Sequence, residues 1–150
     1  MKEERTFAFE KLRVWQDSRS FVTKIYLLTK EFPKEERYGL VDQLRRAAIS
    51  ISSNIAEGSS RISFKDQSHF YQIAYSSLME VLNQIIICLD LNYLTKDDYN
   101  SFRSDIESLS YQINQLRKSA LSKLSQPPST KPSQQSQQRS SQPSKPFSTE

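Results

Sequence analysis

The sequence predicts an all-α fold: an antiparallel up-down-up-down four-helix bundle followed by a disordered C-terminal tail. Three observations predict it. Only two glycines occur in 150 residues, and no proline stands between Pro33 and Pro127, so little interrupts long helices. Apolar residues recur at steps of three and four along four successive stretches, the period of a helix face. No segment shows the period-two alternation of a half-buried strand.

The first apolar stripe is Trp15, Val22, Ile25, Tyr26 and Thr29, with Val14 and Phe21 at its edge. It predicts a helix over about 11–31, ended at Phe32-Pro33 because the residue before proline avoids the helical region. The second stripe, Leu40, Leu44, Ala47, Ala48, Ile51 and Ile55, predicts a helix over about 37–58, with Gly58 as a left-handed stop. Ser63-Phe64-Lys65-Asp66 has the capping-box pattern. It opens a third helix over about 64–91, whose stripe is Tyr71, Ala74, Tyr75, Leu78, Leu82, Ile85 and Leu89. Thr95-Lys96-Asp97-Asp98 repeats the cap. Tyr99, Phe102, Ile106, Leu109, Ile113 and Leu116 then form a heptad seam for a fourth helix over about 96–123. Short connections between amphipathic helices make neighbours antiparallel.

Composition divides the chain into a bundle domain, 1–125, and a tail, 126–150. Ser, Gln and Pro dominate the tail, and Phe147 is its one aromatic. Such a segment buries too little apolar surface to offset its chain entropy. The net charge is +4. Lys131, Arg139, Lys145 and Glu150 place +2 of it in the tail, leaving +2 for residues 1–125. Any nucleic-acid footprint must therefore come from local clusters. A single cysteine, Cys88, excludes an intrachain disulfide and fits a reducing, cytoplasmic location. The N-terminal residues have no apolar h-region, so no signal peptide is expected. No uncharged apolar run reaches 18 residues, so no membrane span is expected.

The second helix carries another pattern. Arg46, Ser50, Asn54 and Glu57 fall on one polar stripe, which Arg61 would extend if the helix ran past Gly58. Ser and Asn compete with the backbone inside helices, so several on one face need a reason. Either the stripe is a solvated flank or internal hydrogen-bond network, with Glu80 or Gln84 as partners, or it is a contact surface for a nucleic acid or protein. On the other side stand Val41, Ile49, Ser52 and Ala56, and the third helix adds Ile86 and Ile87. A helix apolar over more than half its circumference touches more than one neighbour. Val41, Ile49, Ala56 and Ile86 are thus the expected subunit interface. Arg45, Arg46, Arg61, Lys65 and Arg37, with Lys34, gather in sequence around the second helix. Arginine's planar fork suits phosphate, which makes this group the expected nucleic-acid contact; ion pairing with Asp42 and Glu57 is the simpler role. Arg117, Lys118 and Lys123 complement the fourth helix's dipole.

Catalysis is not expected. His69 is the only histidine and there is no CxxC pair, so no metal site or cofactor is implied. Cys88 lies within an apolar run without an activating base. No P-loop, GxGxxG or GxSxG occurs.

Leu44 to Gly58 reads LRRAAISISSNIAEG. This resembles the R-R-A-x-x-S-I-x-x-N-I-A-E-G signature of the four-helix bundle proteins encoded in intervening sequences of bacterial 23S ribosomal RNA genes. FEKLRVWQ at Phe9–Gln16, FPKEERYGL at Phe32–Leu40, Ser77, Leu78, Glu80 and LNYL at Leu91–Leu94 fit the same family. The resemblance covers about residues 8–120. It implies an antiparallel bundle that closes into a ring, commonly a pentamer. A related branch comprises accessory proteins of diversity-generating retroelements, which bind nucleic acid and partner a reverse transcriptase. The family's recurrent polar positions correspond to Arg45, Arg46, Ser50, Asn54, Glu57 and Arg61. Tyr75-Ser76 stands where many members have a basic and a small residue, and the tail is extra.

The expected function is therefore non-enzymatic: a self-assembling bundle that binds RNA or DNA or serves as a scaffold. The alternative is a protein-interaction module engaging a partner chain such as a reverse transcriptase. A helical RNase using Arg-x(4–6)-His is disfavoured, because the spacing from Arg61 to His69 is one residue too long.

Overall fold

The computed structural model describes residues 5–125; the expected disordered tail lies outside the described residues. Four α-helices follow one another: α1 (Arg13–Lys30), α2 (Leu40–Ser60), α3 (Phe64–Asp90) and α4 (Lys96–Leu124). One-turn 3-10 helices precede α1 (Ala8–Lys11) and α2 (Lys34–Glu36). The described residues contain no strand. In the bundle, α2 packs on α1 and α3, and α3 on α4, while α1 meets α4 along the shortest seam.

The ends of the helices follow local chemistry. Thr95 Oγ1 accepts the Asp98 amide at 3.1 Å, and Asp98 Oδ2 accepts the Thr95 amide at 3.4 Å, so the expected capping box closes. Ser63 Oγ accepts the Asp66 amide at 3.3 Å. α2 starts three residues later than expected, because Lys34–Glu36 winds as a 3-10 turn. The Glu36 carboxylate then accepts the first α2 amide, Leu40 N–H, at 3.3 Å. Tyr93 donates its hydroxyl to the same carboxylate at 3.0 Å and packs on Phe32, ring centroids 5.3 Å apart. One residue thus ties the α1–α2 and α3–α4 connections together.

Gly58 does not stop α2. It stays helical, and the helix continues to Ser60. A Cβ there would lie 2.6 Å from Tyr71 Cε1 and 3.1 Å from Phe70 Cβ. The glycine is what lets α2 approach α3. The left-handed stop falls instead at Asn92, φ 58. Tyr93 N–H bonds to Cys88 O at 2.9 Å and Asn92 N–H to Leu89 O at 3.0 Å, the Schellman arrangement.

The core is Val14, Phe21 and Ile25 of α1, Leu44, Ala48, Ile51 and Ile55 of α2, Ala74, Leu78, Val81, Ile85 and Cys88 of α3, and Phe102, Ile106, Leu109 and Ile113 of α4. Two stripes sit about one residue away from their expected positions. On α1 the buried set is Val14, Ser18, Phe21, Ile25 and Thr29, with Trp15, Val22 and Tyr26 half-buried at its side. On α3 it runs through Tyr71, Ala74, Leu78, Val81, Ile85 and Cys88, with Tyr75, Leu82 and Leu89 flanking. α3 has the length and mean hydropathy, 1.3, of a membrane span, but its apolar side is shared between α2 and α4.

Candidate binding surfaces

The polar stripe of α2 meets α3 at its middle, through Ser50. Ser50 Oγ and Ser77 Oγ share a hydrogen bond of 2.8 Å. Asn54 Nδ2 donates to Ser50 O at 2.7 Å and to Ser50 Oγ at 3.0 Å. Ser50 and Asn54 therefore belong to an internal network, which satisfies their polar groups locally. Neighbouring Gln84 is buried, at 4% exposure. Its Nε2 donates to Glu80 Oε1 at 3.2 Å, while its own Oε1 accepts from no donor among the described residues. Glu57, by contrast, is exposed and pairs with Arg61.

The basic residues around α2 do not form one patch. Arg45 turns inward: its Nε donates to Thr29 Oγ1 at 2.9 Å, and its guanidinium lies 4.5 Å from the Tyr26 ring centroid. It joins α2 to α1. Arg46 is exposed, 3.8 Å from Asp42. Arg37 lies over Tyr38 in the α1–α2 connection. Arg61 and exposed Lys65 belong to the opposite end, where Arg61 also covers the Phe70 ring at 4.5 Å. Fifteen residues at 1.5 Å rise separate Arg46 from Arg61 by roughly 22 Å.

The expected interface residues divide as well. Val41 is 7% exposed and packs in the chain's own core, which corrects its assignment to a subunit interface: the apolar face of α2 is wider because α1 and α3 both cover it. Ala56 is half-buried beside a cleft of about 560 Å3 that it shares with Phe7 and Phe9 of the N-terminal segment. Phe9 meets Trp15 edge-on at 4.9 Å, so Trp15 clasps this segment from the side of the core. Ile49 and Ile86 stay outside, 41% and 38% exposed, as does Ile87 at 39%.

Another surface escaped the sequence reading. A groove of about 700 Å3 runs between α3 and α4, with Tyr75, Met79 and Leu82 on one wall and Arg103, Tyr111 and Arg117 on the other. Arg103 and Arg117 are 14 residues apart, two heptads, and so share a helix face; that spacing was the available signal. Arg103 pairs with Glu107 at 3.0 Å. Arg117 Nε is shielded from solvent and has no acceptor.

Reactive groups are not gathered. Cys88 is fully buried. Burial, with a contribution from Glu36, pushes its thiol up to about 12, so thiolate is scarce at neutral pH. His69 is exposed and touches Phe70 edge-on at 5.8 Å. No cluster of three metal-ligating side chains occurs among the described residues.

The model of the 23S rRNA-intervening sequence protein family matches residues 10–122. The chain belongs to that family. The match to the 23S rRNA-intervening sequence proteins begins in the 3-10 turn before α1 and ends in the last turn of α4, so it includes every surface residue described above except Phe7 and Phe9. A crystal structure of a protein with unknown function from the S23 ribosomal protein family of Bacteroides thetaiotaomicron VPI-5482 superposes with a TM-score of 0.65. It shares 24% identity, over 70% of this chain and 95% of that one; this shows a common fold. Comparison with curated proteins finds no match.

Proposed function

We propose that this 23S rRNA-intervening sequence family member is a non-enzymatic bundle that assembles with itself in the cytoplasm and binds RNA. The observation that carries the reading is the set of large apolar side chains left outside a complete core: Ile49 on α2 and Ile86 and Ile87 on α3. Each bundle already buries its own apolar stripe, so these residues gain contacts by meeting another copy. A closed ring removes such faces from water in every copy, since a heterologous contact that closes leaves no free end; five copies is the number that the family resemblance implies. RNA binding is supported by cations at the outer surface, Arg46, Lys65 and Lys118.

Sedimentation of the full chain should give about five times the 17.5 kDa chain mass. Ile49→Glu with Ile86→Glu should reduce it to one chain mass without loss of helical signal. A wild-type chain that sediments as a monomer at micromolar concentration overturns the assembly reading. RNA affinity should fall steeply between low and physiological salt, because each phosphate contact releases counterions; a flat profile argues against RNA. A second reading, a module that engages a partner protein, is favoured by the apolar cleft between Phe7 and Ala56. Nuclease-insensitive capture of one partner, lost on Ala56→Glu, supports it.

A further inference from the structure

We infer that the outer groove between α3 and α4 holds single-stranded nucleic acid, with Arg117 and Lys118 meeting phosphates and Tyr75 and Tyr111 stacking on bases. This rests on the RNA-binding reading above and names where the strand lies.

Charge comes first. The groove is lined by three cations, Arg103, Arg117 and Lys118, and one acid, Glu107. Arg103 and Glu107 cancel through their ion pair. Arg117 and Lys118 are left as the surplus, because neither has a carboxylate within 4.0 Å among the described residues. Three other arginines place their Nε on an acceptor: Arg13 donates to Asp17, Arg45 to Thr29 and Arg103 to Glu107. Arg117 Nε is buried without an acceptor, an arrangement that proteins rarely keep. A guanidinium so placed favours a ligand rich in anionic oxygens, which its planar fork can take two at a time.

Shape and stacking narrow the class. Tyr75 stands on the α3 wall and Tyr111 on the α4 wall, with Met79 and Leu82 beside Tyr75 and packed against the core. Tyr111 is 65% exposed; its hydroxyl accepts from Gln115 Nε2 at 2.9 Å, which leaves the ring face open to a base. Cationic side chains interleaved with aromatic rings are what a single strand uses, its phosphates on the cations and its bases on the rings. Helices in contact stand roughly 8–10 Å apart, and a duplex hides its base faces in its own stack, so the groove discriminates against paired strands. A docked protein helix would have to bring acids to two cations and would leave the rings' polar edges to be paired.

The test is fluorescence anisotropy of the full chain with a labelled 12-nucleotide oligouridylate, and with the same strand annealed to oligoadenylate. The single strand should bind tighter than the duplex. Arg117→Ala with Lys118→Ala should weaken single-strand binding about tenfold or more and reduce the log–log salt slope by about 1.4, two phosphates at about 0.7 each. Tyr111→Ala, at an exposed site that should leave folding intact, should weaken it about fivefold or more. Arg13→Ala, at an exposed cation of α1 that pairs with Asp17 away from the groove, should leave it within about twofold. If Arg46→Ala weakens binding while the Arg117/Lys118 and Tyr111 variants do not, the groove assignment falls and the RNA reading stands. If the wild-type chain binds no strand even at low salt, both fall. If the groove variants change the sedimenting mass and leave strand affinity alone, the groove is an interface between copies, and the assignment is overturned.

Discussion

Arg45 and Arg46 are neighbours in sequence and opposites in role. Arg45 spans to Thr29 and Tyr26 of α1, whereas Arg46 reaches only the exposed Asp42. Arg45→Ala is expected to cost about 1–2 kcal/mol by urea unfolding, from the lost hydrogen bond and cation–π contact. Arg46→Ala should stay within about 0.5 kcal/mol, as exposed ion pairs do. Gly58→Ala gains about 1 kcal/mol of helix propensity but drives a methyl group into the buried Tyr71 ring. Overpacking costs about 1–3 kcal/mol, so the urea midpoint should fall; a raised midpoint would show that the helices can part cheaply. Cys88 makes a pH prediction. Its thiol holds its proton in the folded chain up to about 12, against 9.0 as the ordinary value. The folded value is the raised one, so stability should be level below pH about 9 and decline above it, as the unfolded chain's thiol ionises first. Tyr71 and Tyr93 are also raised, from 10.0, and add to the decline at higher pH. Cys88→Ala should remove the earliest part of the slope in pH-dependent urea melts.

At the scale of the helix, spacing identified four elements and the N-caps of α3 and α4, while their rotation depended on contacts. Ser18 and Thr29 read as polar, yet both are buried on α1. Ser18 Oγ donates to Trp15 O at 2.8 Å and Thr29 Oγ1 to Ile25 O at 2.9 Å; hydroxyls satisfied within their own helix can enter a core. That is why the stripe centred on Trp15 and Tyr26 lies about one residue from the buried one. The capping box at Thr95 is a local device, visible in four residues, and Thr95→Ala should cost about 1 kcal/mol in thermal or urea unfolding. α1 meets α4 through one edge-on ring contact, Phe21 on Phe102 at 6.0 Å, flanked by polar contacts, Lys24 Nζ to Asp105 at 2.5 Å and Gln112 Nε2 to Asp17 at 3.0 Å. Partly exposed pairs of this kind contribute little. Hydrogen exchange should therefore find α1 amides less protected than those of α2 and α3; equal protection would show that the bundle opens as one unit.

At the scale of the molecule, the fold class, the four helices and the family signature at Leu44–Gly58 were legible in the sequence, because periodicity, caps and the absence of proline act over a few turns. The division of α2's residues between core, seam and surface was not. Val41 and Ile49 are both apolar, and only the placement of α1 and α3 decides that one is covered and the other exposed. The basic residues gathered in sequence separate onto opposite ends of α2, since a helix spreads 15 residues over roughly 22 Å. In the other direction, Tyr75 and Arg117 are 42 residues apart in the chain and line one groove because α3 and α4 run antiparallel. Local hydrogen bonding and side-chain period thus determined which elements form. Which side chains meet, and which remain for a partner, was decided by packing between elements, where the decisive neighbours are distant in sequence.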